Sequence, residues 1–192
     1  MAIYMLLKDY QEDKSFLKTL SSQEKRDKLE KEAEEVISSS QSSTSKAIEK
    51  DKFTSTSDRK NIIKDIRLIE MSVVEALEIE FGIKAARNVG IGDTEIQFDA
   101  IFINSAITPI LVEIKLFRAP LTGLALTERL LYQAVIADNY FKGNCRIIFS
   151  LVYKFEEQEL DGFKQYWQGK AKHCPADIEI RFFNYNDLRK DT

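Results

Sequence analysis

Histidine and cysteine are scarce in this chain of 192 residues, which contains only His173, Cys145 and Cys174. Structural zinc sites take four nitrogen or sulfur ligands, so these three side chains leave such a set incomplete. A serine triad would have to use His173 as its base. A Cys–His nucleophile is formally available, but a cysteine that begins an apolar strand, as Cys145 does, is typical of inert core. Because histidine and cysteine are scarce, the candidate catalytic and metal-binding groups of this chain are carboxylates and lysines.

An excess of positive charge and long apolar runs are also lacking. The net charge is -3 and the pI is about 5.4, so any contact with nucleic acid needs a local basic patch. The first residues, MAIYMLLKDYQEDK, lack the basic region, apolar stretch and cleavage site of a secretion signal. We therefore expect a cytoplasmic protein without membrane contact, built as one domain with an appendage.

Residues 1–57 differ in composition from the rest and are predicted to form a helical, partly low-complexity extension. Ser21 and Glu24 have the spacing of a capping box, and the charged helix KRDKLEKEAEEVI follows them. The serine-rich run from Ser38 to Ser45 is typical of a linker or mobile loop. The helix could dock on the core, pair with another chain or stay solvated. We favour a homodimer or a protein partner bound through it.

Residues 58–192 have the pattern of an α/β domain. A helix is predicted from Ser57 or Asp58 to Phe81, where Gly82 stops it. Three strands then form a meander, followed by a helix, a strand, another helix and a last strand. The predicted ranges are 83–89, 95–103 and 109–117 for the meander, 124–141 and 145–153 for the next pair, and 156–170 and 177–183 for the last pair. This order predicts a mixed sheet flanked by helices.

Charged residues interrupt the two most apolar strands of the meander. Asp99 lies within IQFDAIFI, and Glu113 with Lys115 lies within ILVEIKLF. Charge in a buried strand is unfavourable unless it is paired or binds a metal. A hairpin in register would bring the two acids and the amine together, because alternate residues share one face of a strand. The alternative is a buried ion pair that only fixes the register, at a cost in desolvation.

The helix before the sheet carries a further candidate, Glu70. At about 100° per residue, the apolar residues of this helix lie within about 60° of Glu70. They are Ile63, Ile66, Val73, Val74, Leu77 and Phe81. Glu70 therefore lies in the centre of the stripe that faces the core, and we expect it to approach the charges of the strands.

Carboxylates and a lysine in this arrangement favour phosphodiester hydrolysis. Mg²⁺ is often held by one or two carboxylates together with a phosphate of the substrate. Such a metal polarises the phosphodiester, and Lys115 would orient or deprotonate the attacking water. A carboxylate pair alone could also serve glycoside hydrolysis, but two acids beside a lysine fit a phosphate better.

The spacing of Asp99, thirteen residues and then Glu113-Ile114-Lys115 resembles the PD-(D/E)XK nuclease superfamily. The resemblance covers roughly residues 58–152, and within the superfamily this sequence is similar to nuclease-related domains. It departs from the family pattern at Phe98, where a proline is common. The resemblance implies the restriction-endonuclease-like αβββαβ core. It also implies a Mg²⁺-dependent deoxyribonuclease in which Mn²⁺ can replace Mg²⁺.

The same resemblance implies roles for particular residues. Asp99, Glu113, Glu70 and the peptide carbonyl of Ile114 would be metal ligands. Lys115 would be the catalytic lysine, and Gln133 on the next helix would support the site. The rival interpretation is a catalytically silent domain of the same fold that binds nucleic acid or a protein partner.

Two arginines are candidates for contacts with the nucleic-acid backbone. Arg118 follows the third strand of the meander, and Arg129 precedes Gln133 by one helical turn. Both could reach phosphates, and both could equally be ordinary solvated charges. We expect DNA as the partner that these residues would contact.

Overall fold

Helices and strands follow one another in the order that the sequence predicts, with an added element near each end. The structure is a computed structural model that describes residues 17–41, 56–104, 107–120 and 124–189. Its elements are β1 (Leu17–Thr19), α1 (Ser22–Gln41), α2 (Thr56–Phe81), β2 (Ala86–Ile91), β3 (Gln97–Asn104), β4 (Ile107–Phe117), α3 (Leu124–Tyr140), β5 (Arg146–Tyr153), a 3₁₀ turn (Glu157–Glu159), α4 (Leu160–Lys172), β6 (Ile178–Asn184) and α5 (Tyr185–Leu188). Each helix in these ranges is too short or too polar to traverse a lipid bilayer.

The strands of the described ranges form one six-stranded mixed sheet in the order β1 to β6. The first four strands pair antiparallel with their neighbours, whereas β4, β5 and β6 run parallel. Parallel neighbours need a crossover connection, which α3 and α4 supply. The prediction of a mixed α/β sheet flanked by helices is confirmed. Since β4 is paired along both edges, the backbone that carries Glu113 and Lys115 is firmly held.

Apolar side chains cover both faces of the sheet. On one face, α3 and α4 contribute Leu130, Ala134, Phe163 and Trp167 to the core. On the other face, α1 and α2 contribute Ala33, Val36, Ile66, Ile69 and Val73. Because both faces are covered, the interior strand β5 has the nearly continuous apolar sequence RIIFSLVY.

The capping box predicted at Ser21 and Glu24 starts α1. The hydroxyl of Ser21 accepts a hydrogen bond from the Glu24 amide at 3.2 Å, and the Glu24 carboxylate accepts one from the Ser21 amide at 2.8 Å. These reciprocal bonds satisfy backbone N–H groups that would otherwise lack an acceptor in the first turn. The start of α1 is therefore fixed by local chemistry.

Glu24 makes the stability of this helix start depend on pH. Hydrogen bonds from the Lys18 ammonium and then from Ser21 lower the pKa of Glu24 from 4.5 to about 2. A carboxyl group whose pKa is lower in the folded chain stabilises the fold at pH values above its pKa in the unfolded chain. This stabilisation is lost as the pH falls through its pKa in the folded chain. We expect the urea midpoint of the wild type to exceed that of Glu24→Gln at neutral pH, and the difference to vanish as pH falls from 4.5 to about 2. A pH-independent difference would contradict this assignment.

Several predicted boundaries were wrong. The helix α1 continues through Ser38 to Gln41, where a linker was predicted, and the Ser38 hydroxyl donates to the carbonyl of Glu34 at 2.7 Å. Residues 42–45 of the serine-rich run lie outside the described ranges. The first strand of the meander was predicted over residues 83–89, whereas β2 spans Ala86–Ile91. The turn is centred on Gly92, whose φ is +50° and where a Cβ would lie 2.5 Å from the ring of Tyr140.

The helix α1 lies against α2 and the sheet. Its Ala33 and Val36 are buried in the same core as Ile66 of α2. Of the three alternatives for this helix, docking on the chain's own core is the one observed. Thus β1 and α1, which fall within the predicted extension 1–57, share one sheet and one core with the rest of the described chain. A homodimer or partner contact through α1 stays a prediction.

Candidate functional site

The three charged residues of β3 and β4 lie together. Ala100 pairs with Val112, and continuing this register places Asp99 opposite Glu113. Lys115 Nζ lies 2.7 Å from Glu113 Oε1. Asp99, Glu113 and Lys115 are 4%, 3% and 6% exposed, so the cluster is buried. Charge at this depth is stable only with close partners.

The peptide of Ile114 connects the two strands at this point. Asp99 Oδ2 accepts a hydrogen bond from the Ile114 amide at 2.6 Å. A charged acceptor on a backbone N–H makes a strong hydrogen bond that orients the carboxylate. The side chain of Asp99 is therefore fixed by the strand that carries Glu113, while the carbonyl of Ile114 as a metal ligand stays a prediction.

Two residues that the sequence analysis did not select complete the cluster from α1. Lys28 Nζ donates to Asp99 Oδ1 and lies 3.7 Å from Glu113 Oε2. Glu32, one turn later, accepts from Lys115 Nζ and lies 4.0 Å from the Lys28 ammonium. The N-terminal helix thus supplies one cation and one acid to the site.

Glu70 reaches the same cluster from α2. One carboxylate oxygen from each of Glu32, Glu70 and Asp99 lies within 4.8 Å of the other two. Burial raises the pKa of Glu70 well above its usual range, and the charges of Asp99 and Glu32 raise it further. Burial and the neighbouring acids thus disfavour the charged form of Glu70.

The other groups of the cluster influence one another strongly. Burial disfavours the charged form of Asp99, but the ammonium groups of Lys28 and Lys115 outweigh it and lower the pKa of Asp99. Burial, followed by the charge of Asp99, raises the pKa of Glu113. Burial opposes the charge of both lysines, yet the surrounding carboxylates raise the pKa of Lys115 and of Lys28. Both lysines are therefore hydrogen-bond donors at neutral pH.

Two oxygens of the cluster have no hydrogen-bond donor among the described residues. They are Glu32 Oε2 and Glu113 Oε2, and both atoms are buried. A buried acceptor without a donor indicates a missing partner such as a water or an ion. Since the carboxyl groups of Glu32, Glu70, Asp99 and Glu113 outnumber the two ammonium groups, the donor set fits a hard divalent cation that prefers oxygen ligands.

The cluster opens into a groove of about 460 Å³. Lys31 and Arg129 line this groove, as do Tyr132 and Gln133 of α3. Tyr132 is 64% exposed, so its ring is available to a molecule in the groove. The groove is lined by four members of the cluster, Lys28, Glu32, Glu113 and Lys115, and so connects the cluster to the surface.

The remaining predicted site residues differ in whether they line this groove. Gln133 donates its side-chain amide to the carbonyl of the first residue of β3, so it holds the strand of Asp99 in place. Arg129 lines the groove, where its Nη2 is 2.8 Å from a carboxylate oxygen of Glu35 in α1. Arg118 is not among the groove residues, and its Nη2 lies 3.3 Å from Asp65. The structure brings Arg129 and Gln133 to the site but not Arg118.

Cys145 lacks the properties of a nucleophilic cysteine. Burial, with smaller contributions from the charges of Asp138 and Asp177, raises the pKa of Cys145 to about 12. A nucleophilic thiolate needs the opposite shift. The His173 ring is engaged by the carbonyl of Gly169, 2.7 Å from Nδ1. Cys145 is therefore core, as the sequence predicts.

No protein family, curated protein or solved structure matches the chain. Function is therefore inferred from the buried acids and lysines themselves.

Proposed function

We propose that this chain is a metal-dependent nuclease that hydrolyses phosphodiester bonds, with DNA as the expected substrate. The observation that carries the proposal is the buried cluster of four carboxyl groups and two ammonium groups that opens into the groove, in which Glu32 Oε2 and Glu113 Oε2 accept no hydrogen bond from the described residues. We also propose the finer fold, a restriction-endonuclease-like core made of α2, β2, β3, β4, α3 and β5.

The residues that would hold Mg²⁺ or Mn²⁺ are Glu32, Glu70, Asp99 and Glu113. When bound, the ion polarises a phosphate and lowers the pKa of a water molecule. This set adds Glu32 to the acids that the family resemblance implies. Support comes from the mutual approach of oxygens of Glu32, Glu70 and Asp99 to within 4.8 Å.

The side chains of the cluster have distinct tasks in this proposal. Lys115, held 2.7 Å from Glu113, would donate from its ammonium to a phosphate oxygen and stabilise the charge that develops there. The buried setting strengthens this interaction because water is excluded. Lys31 and Arg129 would contact neighbouring phosphates along the groove. Gln133 would position β3, and through it Asp99.

A catalytically silent domain that binds nucleic acid or a protein partner is the second candidate. The bond from Lys28 to Asp99 favours it, because this ammonium already neutralises part of the acid cluster. The groove and its Tyr132 would serve binding equally well. The two candidates differ in whether a divalent cation binds and supports cleavage.

The test is cleavage of labelled single- and double-stranded DNA and RNA in the presence of Mg²⁺ or Mn²⁺, with EDTA in parallel. We expect cleavage that requires the metal and falls at least about a hundredfold in Glu113→Gln, because a bound metal contributes several kcal/mol to the transition state. Glu75→Gln, the same change on the exposed side of α2, is the matched control and should retain wild-type activity.

Two results would contradict the proposal. Cleavage that Glu113→Gln retains would identify a contaminant or another site. An intact, folded wild type that cleaves none of the substrates and binds no divalent metal would establish the silent domain instead.

A further inference from the structure

Lys28 is the least expected member of the cluster. Its ammonium donates to Asp99 and lies 3.7 Å from Glu113 and 4.0 Å from Glu32. The side chain is only 12% exposed, although it belongs to a helix rich in solvated charges. One cation is thus surrounded by carboxylates from α1, β3 and β4.

This position coincides with the place where a divalent cation would be bound. The three acids around Lys28 include two, Asp99 and Glu32, whose oxygens approach each other and Glu70 closely enough to share an ion. Two cations on the same carboxylates repel each other strongly in a buried setting. The ammonium and the metal therefore cannot both make these contacts.

The groove offers the Lys28 ammonium a second position. Its side chain lines the groove, where Glu24 and Asp27 of the same helix also lie. Four flexible methylene groups allow the ammonium to turn outwards while α1 stays docked. Displacement needs a change of rotamer and leaves the fold unchanged.

We propose that Lys28 is a tethered cation that occupies the metal position of this site, so that a divalent ion binds only when the Lys28 ammonium moves into the groove. The proposal rests on the proposed function for the identity of the ligand set. Lys28 is then the residue that sets the metal affinity, through the acids that its ammonium contacts.

The experiment measures Mn²⁺ binding by calorimetry to the full chain. Lys28→Met removes the competing charge, and Lys28→Gln keeps a hydrogen-bond donor for Asp99 in case the methionine variant does not fold. Lys64→Met, on the exposed side of α2 and outside the groove, is the matched control. We expect both Lys28 variants to bind Mn²⁺ at least about tenfold more tightly than the wild type, and Lys64→Met to bind like the wild type.

The outcomes separate this inference from the proposed function. Binding by the Lys28 variants alone supports the tethered cation and refutes metal-dependent activity in the wild type. Equal or weaker binding by the Lys28 variants than by a wild type that binds overturns the inference and leaves the proposed function intact. Absence of binding in every folded protein overturns both.

A second measurement uses the wild type and does not depend on any variant. The lysine ε-methylene NMR signals of Lys28 should move towards the values of a solvated lysine as Mg²⁺ is added. Those of Lys115 should keep the character of a buried group. An unchanged Lys28 signal at saturating Mg²⁺ would overturn the inference.

Discussion

Replacing Lys115 by methionine is expected to lower the free energy of unfolding by about 3–5 kcal/mol, the cost of removing one partner from a buried ion cluster. Its ammonium contacts Glu32 and Glu113 and is 6% exposed, so its loss leaves acids without a counter-charge. Urea denaturation at neutral pH in the presence of EDTA measures the change. Methionine fills a similar volume, so the effect reports charge rather than packing.

The matched control for this prediction is Lys84→Met. Lys84 also pairs with a buried acid, Glu78 at 2.7 Å, but its own side chain is 87% exposed. Exposed partners contribute about 0–1 kcal/mol, because water and salt screen them. A loss in Lys115→Met no larger than that in Lys84→Met would mean that the cluster does not depend on this ammonium.

Replacing Phe117 by alanine is expected to lower the free energy of unfolding by about 3–5 kcal/mol through a cavity in the core. Phe117 is 1% exposed, and its ring centroid lies 5.1 Å from that of Phe163 and 5.8 Å from that of Trp167. Because Trp167 is the single tryptophan, its fluorescence should change in the folded variant as well. Urea unfolding followed by this fluorescence measures both effects.

Phe117→Leu is the control, since leucine leaves a smaller cavity and should cost less than alanine. Equal losses for the two variants would indicate that the aromatic contacts, rather than the filled volume, stabilise this end of β4. A loss below about 1 kcal/mol in Phe117→Ala would show that the core collapses around the gap.

The strand half of the site could be predicted from the sequence because its charges break an apolar pattern. Asp99, Glu113 and Lys115 stand out in strands covered on both faces, and the alternation of residues places them together. Glu70 could be found in the same way, from its place in the apolar stripe of α2. In both cases the background is apolar, so a single charge carries information.

The contribution of α1 could not be predicted for the opposite reason. Lys28 and Glu32 have the same i, i+4 spacing as Lys31 and Glu35, and the charged helix offers no contrast between the two pairs. Only the docking of α1 on α2 and the sheet selects the first pair for the site. Long-range packing of this kind is not recorded in local periodicity.

Short elements were missed for a similar reason. β1 has three residues, which is too few to show an alternating pattern, and it exists because β2 offers it an edge to pair with.

Arg118 and Arg129 both follow the strand of Glu113 in the chain, yet only Arg129 lines the groove. The direction of a side chain beyond a strand end is set by its neighbours, here Asp65 for Arg118.

The docking of α1 has a consequence for how the chain can be divided. Lys28 and Glu32 lie upstream of residue 58, whereas Asp99, Glu113 and Lys115 lie downstream, and they share one set of ion pairs. A fragment that begins at residue 58 would keep most of the sheet. It would lose one cation, Lys28, and one carboxylate, Glu32, from the charged cluster. The first helix is thus part of the charged cluster, and the smallest fragment that keeps the whole cluster starts before Lys28.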